Sequence, residues 1–173
     1  ATAQSFAKAL AQLQRPANIA WSGLRAELRG IYERSLKPIA LPGAVKLAEV
    51  VRTVSDVLPE DGIITNGAGN YAAFVHRYFE YKRYRTQLAP TSGSMGYGLP
   101  AAVAAKLAHP TRPVVNFQGD GCFLMTGQEL ATAVQYGLPI VTVVANNGVY
   151  GTIRMHQERE YPDRIIGTTL INP

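Results

Sequence analysis

Apolar positions in this chain follow two kinds of spacing, and the change between them divides it. Over residues 2–14, Phe6, Leu10 and Leu13 fall on one stripe, the period of an amphipathic helix. Residues 22–36 repeat the pattern with Leu24, Leu28 and Ile31, and Ser22 stands at the N-cap position. From Pro42 the pattern changes. It predicts a helix over 43–58, an apolar strand at 62–65, a Gly-rich turn at 66–70 and a helix at 70–79. A short strand at 86–89, a Gly-rich loop at 92–98 and an Ala-rich helix at 100–108 follow. Then come a strand at 113–118, a Gly-Asp-Gly turn at 119–121, a helix at 127–136 and a strand at 139–145. Repeated strand, turn and helix predict an α/β fold, a parallel sheet with helices on both faces. The runs at 113–118 and 139–145 are almost continuously apolar, as strands covered on both faces are. The expected organisation is a pair of lead-in helices over 1–41 and an α/β domain over 42–173.

Composition narrows the classes. In 173 residues, 47% hydrophobic and 17% charged side chains exclude a disordered chain. The 16 Gly and 11 Pro show no period, and the single Cys excludes a disulfide framework or a Cys-based zinc site. The longest apolar runs, such as 138–145, fall far below the roughly 18–20 residues a membrane span needs. No secretory pattern opens the sequence, so the expected setting is cytoplasmic, with no membrane partner. The net charge of +5 is concentrated in the lead-in. There Lys8, Arg15, Arg25, Arg29, Arg34 and Lys37 stand against Glu27 and Glu33. A basic extension can bind nucleic acid, as can the Lys-Arg-Tyr-Arg run at 82–85. Solvated helix and strand-edge surfaces account for both more simply, and no nucleic-acid partner is expected.

The chemistry is expected at the turns. In a parallel sheet, ligands bind beyond the carboxyl ends of the strands, and the turns at 66–70, 92–98, 119–121 and 146–148 all belong there. Glycines at such places let backbone N–H groups approach an anion. Gly67-Ala68-Gly69-Asn70-Tyr71-Ala72 fits the dinucleotide pattern G-x-G-x-x-A. The acid that a nicotinamide site wants at the next strand end is missing from Thr86–Pro90. Asp120 sits between two glycines at one strand end, and Asn146-Asn147 ends the next, one helix and one strand later. Asp, Asn and a backbone carbonyl form a hard, all-oxygen set suited to Mg²⁺, which completes its shell with phosphate oxygens and water.

Gly-Asp-Gly followed by Asn-Asn at this spacing resembles the binding signature of thiamine-diphosphate enzymes. The stretches 91–105 (TSGSMGYGLPAAVAA) and 127–139 (GQELATAVQYGLP) resemble the acetolactate synthase and 2-oxoacid decarboxylase group. The resemblance covers roughly residues 42–160 and makes the chain the C-terminal cofactor-binding domain of such an enzyme. It implies the cofactors thiamine diphosphate and Mg²⁺. Asp120 and Asn147 would hold the metal through side chains and Val149 through its backbone carbonyl. Gly119, Gly121 and Cys122 would meet the diphosphate, and Gly69 and Asn70 would close over it beside Ala68. Met95 would be the wedge that keeps the cofactor bent, and the Gly93 carbonyl would accept from the aminopyrimidine. This makes Met95 and Gly93 the catalytic candidates.

The resemblance also marks what this stretch lacks. The family's relay glutamate belongs to an N-terminal pyrimidine-binding domain, supplied by a partner chain in a homodimer or homotetramer. The family's sheet carries two further strands, so the domain reads as incomplete. A Trp of acetolactate synthases shortly after Asn-Asn is matched by His156. The implied function is decarboxylation or ligation of 2-oxo acids, acetolactate synthase-like. Related decarboxylases or carboligases acting on benzoylformate, glyoxylate or oxalyl-CoA, and a non-catalytic cofactor-binding remnant, stay open. The chain by itself is expected to be inactive.

Overall fold

The computed structural model describes residues 1–172. It divides into two compact units, Ala1–Lys37 and Pro38–Pro173. In the first unit, helix α1 (Ala3–Ala11) opens on Thr2, whose hydroxyl accepts from the Ser5 N–H at 3.2 Å. Helix α2 spans Leu24–Ser35. Its N-cap is Gly23, without a side-chain cap, rather than Ser22. Ser22 lies one residue earlier in a turn where its own N–H goes to the Ile19 carbonyl, and the Leu24 N–H goes to Trp21. Both apolar stripes, including Phe6, Leu10, Leu28 and Ile31, are exposed.

The second unit is the α/β domain. Its strands are β1 (Ile63–Asn66), β2 (Gln87–Leu88), β3 (Val114–Gly119) and β4 (Val141–Ala145). All pair in parallel, in the order β2-β1-β3-β4. Helices α3 (Leu47–Val57), α4 (Asn70–Tyr78), α5 (Gly98–Ala108), α6 (Asp120–Thr126), α7 (Glu129–Gln135) and α8 (Gly151–Glu160) complete it. Alternation along β1 and β3 distributes side chains to two layers. Ile64, Val115 and Phe117 pack with Val51 of α3 and Val75 of α4. Ile63 and Val114 pack under Ala102 and Ala105 of α5. Each fully buried Val, Ile or Phe contributes about 1.5–3 kcal/mol. Toward the carboxyl ends the same two strands turn polar, with Thr65, Asn66, Asn116 and Gln118 all 0–1% exposed.

Three expectations need correction. The helix expected from 43 begins at Leu47, because Gly43 takes a left-handed φ of 97° and Lys46 is extended. Between the Gly-Asp-Gly turn and β4 there are two short helices rather than one. Asp120 itself starts α6, and the chain re-enters a helix at Glu129. Strand β4 is not covered on both faces. Val141 is 59% and Val144 39% exposed, since β4 is the outer strand of this sheet.

Candidate functional site

Parallel strands deliver their outgoing turns to one edge. The β1–β3 pairing ends at Asn66↔Phe117, where β1 ends, and β3 and β4 end together at Gly119↔Ala145. The chain leaves β1 for β2 on one side and returns to β3 on the other, so the strand order reverses between β1 and β3, where ligands of such sheets bind. A cavity of about 530 Å³ opens there, within the range of small-molecule sites. Its polar end is built from Gly69, Asn70, Gly119, Asp120, Gly121, Cys122 and the 145–149 turn. Its apolar end is built from Leu47, Val50, Phe74 and Val143.

Asp120 joins two of the turns. It is 6% exposed, and its Oδ2 accepts from the Gly148 N–H at 2.9 Å and from Asn172 Nδ2 at 2.8 Å. Both of these hydrogen bonds fall on Oδ2. Asn172 also donates to Asn146 Oδ1 at 2.8 Å. The Asn147 side chain folds back to accept from the Val149 N–H at 3.1 Å. Gly148 has a left-handed φ of 66°, which turns the chain sharply after the two asparagines. The turn is braced by the Leu170 N–H on the Gly148 carbonyl and the Tyr150 N–H on the Thr168 carbonyl. The Val149 carbonyl accepts no such bond among the described residues.

Aromatic rings wall the polar end. The Tyr71 ring lies against Gly119, where a Cβ would come within 2.9 Å of it. The Tyr150 ring lies against Gly121, where a Cβ would meet it at 2.7 Å and Met95 Cε at 3.2 Å. Glycine at 119 and 121 therefore answers to close packing. Tyr71 Oη donates to Cys122 Sγ at 3.6 Å, and Cys122 Sγ donates to the Ala68 carbonyl at 2.9 Å. Burial, and after it the neighbouring Cys122 sulfur, push the Tyr71 hydroxyl far above the ordinary tyrosine range. It stays protonated and acts as a donor. The first-turn N–H groups of α6, those of Gly121 and Cys122 among them, have no intrahelical acceptor.

The structure thus brings Gly69, Asn70, Met95, Gly119, Asp120, Gly121, Cys122, Asn147 and Val149 around one cavity. Gly93 does not line it. It sits on the exposed part of the 92–98 loop, with a left-handed φ of 69° and open space around its α-carbon. His156 lies on exposed α8, 2.9 Å from Arg159, and also lines no part of the cavity. The sequence reading missed Tyr71, Tyr150, Thr152 and Asn172. Thr152 Oγ1 donates to Asn70 Oδ1 at 2.8 Å and ties α8 to α4. Tyr71 follows the first Gly-rich turn directly, but no local pattern marks it as part of the site, and nothing in the sequence marks Asn172.

The donor set suits a small hard cation beside an anion. It offers a carboxylate oxygen, an amide oxygen and a backbone carbonyl at one strand edge, with backbone N–H groups close by. A set of three or more His, Cys, Asp or Glu able to hold a metal is absent among the described residues. No helix among them is long and apolar enough to cross a membrane.

Comparison with known proteins places the chain in a family. Residues 67–173 match the family described as "Thiamine pyrophosphate enzyme, C-terminal TPP binding domain". The acetolactate synthase large subunit of Lactococcus lactis is 38% identical over 121 residues, which are 69% of this chain and 21% of that protein. The acetolactate synthase of Mycobacterium leprae is 34% identical over 151 residues, 87% of this chain and 24% of that protein. Among solved structures, a thiamine diphosphate-dependent 4-hydroxybenzoylformate decarboxylase of Rhodococcus jostii RHA1 superposes with a TM-score of 0.71 at 28% identity. The match covers 79% of this chain and 26% of that one. The chain spans about a fifth to a quarter of the length of these relatives.

Proposed function

This chain belongs to the thiamine pyrophosphate (thiamine diphosphate) enzymes, through their C-terminal cofactor-binding domain, and from that premise we propose that it holds the diphosphate end of the cofactor and a Mg²⁺ ion in an enzyme that decarboxylates or ligates 2-oxo acids, in the manner of acetolactate synthase. The observation that carries the reading is the hydrogen bond between Asp120 Oδ2 and the Gly148 N–H. It locks the Gly-Asp-Gly turn to the Asn-Asn turn at the mouth of one cavity. The relatives named acetolactate synthase, and the neighbour acting on 4-hydroxybenzoylformate, itself a 2-oxo acid, support the substrate class.

The cofactor, when bound, supplies an acidic carbon that adds to a 2-oxo acid and an electron sink for the loss of CO₂. The rest is the work of this chain. Asp120 Oδ1, Asn147 Oδ1 and the Val149 carbonyl would hold Mg²⁺. The Asn147 oxygen keeps a second lone pair beyond the one taken by Val149 N–H. The N–H groups of Gly121 and Cys122 would bind the diphosphate, with Gly69 and Asn70 closing over it. Tyr71 and Tyr150 exclude water from the polar end. Met95, whose methyl reaches the neighbourhood of Gly121, would support the bend between the cofactor's rings. The Gly93 carbonyl has its proposed aminopyrimidine role from the resemblance alone. The relay carboxylate would come from an N-terminal domain on a partner chain, in a homodimer or homotetramer, and the chain by itself would not turn over.

Calorimetry with thiamine diphosphate and Mg²⁺ tests this. Asp120→Ala should weaken binding at least tenfold, about 1.4 kcal/mol, and chelating the metal should do the same to the unmodified chain. A smaller loss in both would remove Asp120 from the metal site.

A further inference from the structure

The buried polar ends of β1 and β3 form a row that the functional site does not absorb. Thr65 and Asn116 are register partners, as are Asn116 and Thr142. Gln118 lies two residues on from Asn116 and therefore on the same face. That is the face covered by α5, because Ile63 and Val114 on it pack against Ala102 and Ala105. Thr65, Asn116 and Gln118 are each 0% exposed. Gln118 and Asn116 hydrogen-bond to one another, and Thr65 lies against them with its one hydroxyl proton shared between Asn116 and the loop above. Thr65 Oγ1 lies 3.1 Å from Asn116 Oδ1, and Gln118 Nε2 donates to that same oxygen at 3.2 Å. Gln118 Oε1 is left buried without a partner among the described residues. Apolar side chains would fill such positions at lower cost, so the row calls for an explanation.

Its outward contact is with the loop that carries Met95. Thr65 Oγ1 is 2.9 Å from the Gly98 carbonyl. A Cβ on Gly98 would come within 2.6 Å of both Asn116 Oδ1 and Gln118 Nε2. The start of α5 thus rests directly on the row. A second pin acts two residues earlier, where Thr126 Oγ1 of α6 donates to the Gly96 carbonyl at 2.8 Å. Gly96 has a left-handed φ of 81°. Met95 is the next residue back. Its side chain lines the cavity, and its methyl would be met at 3.2 Å by a Cβ at Gly121.

We infer that the Thr65–Asn116–Gln118 row and Thr126 are positioning residues: Thr65 holds the Gly98 carbonyl, Asn116 and Gln118 form the bed under its α-carbon, and Thr126 holds the Gly96 carbonyl, which together fix where Met95 enters the cavity. The inference rests on the proposed cofactor role for what Met95 supports, but its geometric content stands without a ligand. Thr65 and Thr126 each bond to a backbone carbonyl, which any loop sequence presents. It therefore sets the path of the loop, while residue 95 alone decides what shape is presented. A polar row does this better than an apolar one, because a hydrogen bond fixes direction as well as distance.

The test uses the chain labelled with ¹³C at its methionine methyls. Thr65→Val removes the hydroxyl at nearly constant shape, Thr65→Ser restores it, and Thr126→Val removes the other pin. Thr126 is less buried than Thr65, so its variant serves if Thr65→Val does not fold. The Met155 methyl, on exposed α8, reports whether the fold persists. The expected result is a Met95 methyl signal that shifts or broadens in Thr65→Val and Thr126→Val, returns in Thr65→Ser, and leaves Met155 unmoved. In parallel, Mg²⁺-dependent affinity for inorganic pyrophosphate should stay within twofold, while affinity for thiamine diphosphate should fall at least fivefold. An unmoved Met95 signal in folded variants would overturn the inference, as would equal losses for pyrophosphate and thiamine diphosphate. If the unmodified chain bound neither ligand, the cofactor reading would fail, and the methyl signals would still decide the positioning claim.

Discussion

Tyr71 and Tyr81 are both partly buried tyrosines that differ in what their hydroxyls meet. Tyr71 donates to Cys122 Sγ inside the site, whereas Tyr81 Oη has no partner among the described residues. Burial is the leading cause that raises both above the usual tyrosine range. A folded value above the unfolded one means that the fold favours the neutral hydroxyl. That stabilisation is complete below the unfolded value, about pH 10, and is lost as pH rises through the folded values. Urea midpoints should therefore be flat with respect to these two groups up to about pH 10 and fall above it. Tyr71→Phe combined with Tyr81→Phe should flatten the alkaline limb, and an unchanged limb would mean other groups control it. At this scale the sequence was informative where chemistry and backbone demands coincide. Gly119, Asp120, Gly121 and Asn147 were legible because an acid between two glycines at one strand end and a pair of asparagines at the next strand end together make an oxygen set that neither motif makes alone. Tyr71 and Tyr150 were not, because an aromatic ring that walls a site has the same sequence signature as one that fills a core. Asn172 reaches Asp120 by a tertiary contact spanning 52 positions, which no local pattern encodes.

Among the elements, α5 is the most tightly specified. Its small residues let it lie close on the sheet, and Gly98 gives the closest approach. A methyl at Gly98 would meet Asn116, Gln118 and the backbone carbon of Asn66 within 2.6–2.8 Å. The last of these cannot rotate away. Gly98→Ala should cost about 1–3 kcal/mol by overpacking, readable as a lower urea midpoint. Gly137→Ala is the contrast: no atom lies within 4 Å of its α-carbon's open position, and only its φ of 60° opposes the change. Equal losses at the two positions would contradict the packing argument. The order of strands and helices was legible from apolar period and turn glycines. The pair α6–α7 was not, since seven residues after Gly119 are too few to show a helical period. The start of α2 was misread by one position because a serine in a preceding turn looks the same as a serine at a cap.

As a whole molecule, the sheet ends in an unprotected strand. Among the described residues β4 pairs with β3 on one side only, and Val141 and Val144 stand exposed on its two faces. An apolar edge of this kind seeks another chain. Sedimentation of the 173-residue chain should show concentration-dependent association, and Val141→Lys should shift it toward the monomer. A wild-type monomer at all concentrations would show that this edge is inert. Helices on both faces of the sheet were legible from the continuous apolar runs at 113–118 and 139–145, but the second run also led to the expectation that β4 is covered. A run records what a strand can bury, and whether a neighbour is present to bury it lies outside the strand itself. The central claim is that Asp120 and the Asn-Asn turn together hold a divalent cation against a diphosphate. Anomalous scattering from crystals grown with Mn²⁺ and thiamine diphosphate measures this most directly. One manganese peak is expected roughly 2.0–2.2 Å from oxygens of Asp120 and Asn147, close to the range for a small divalent cation, with the diphosphate against Gly121. Manganese located elsewhere, or a diphosphate bound with no metal at Asp120, would contradict it.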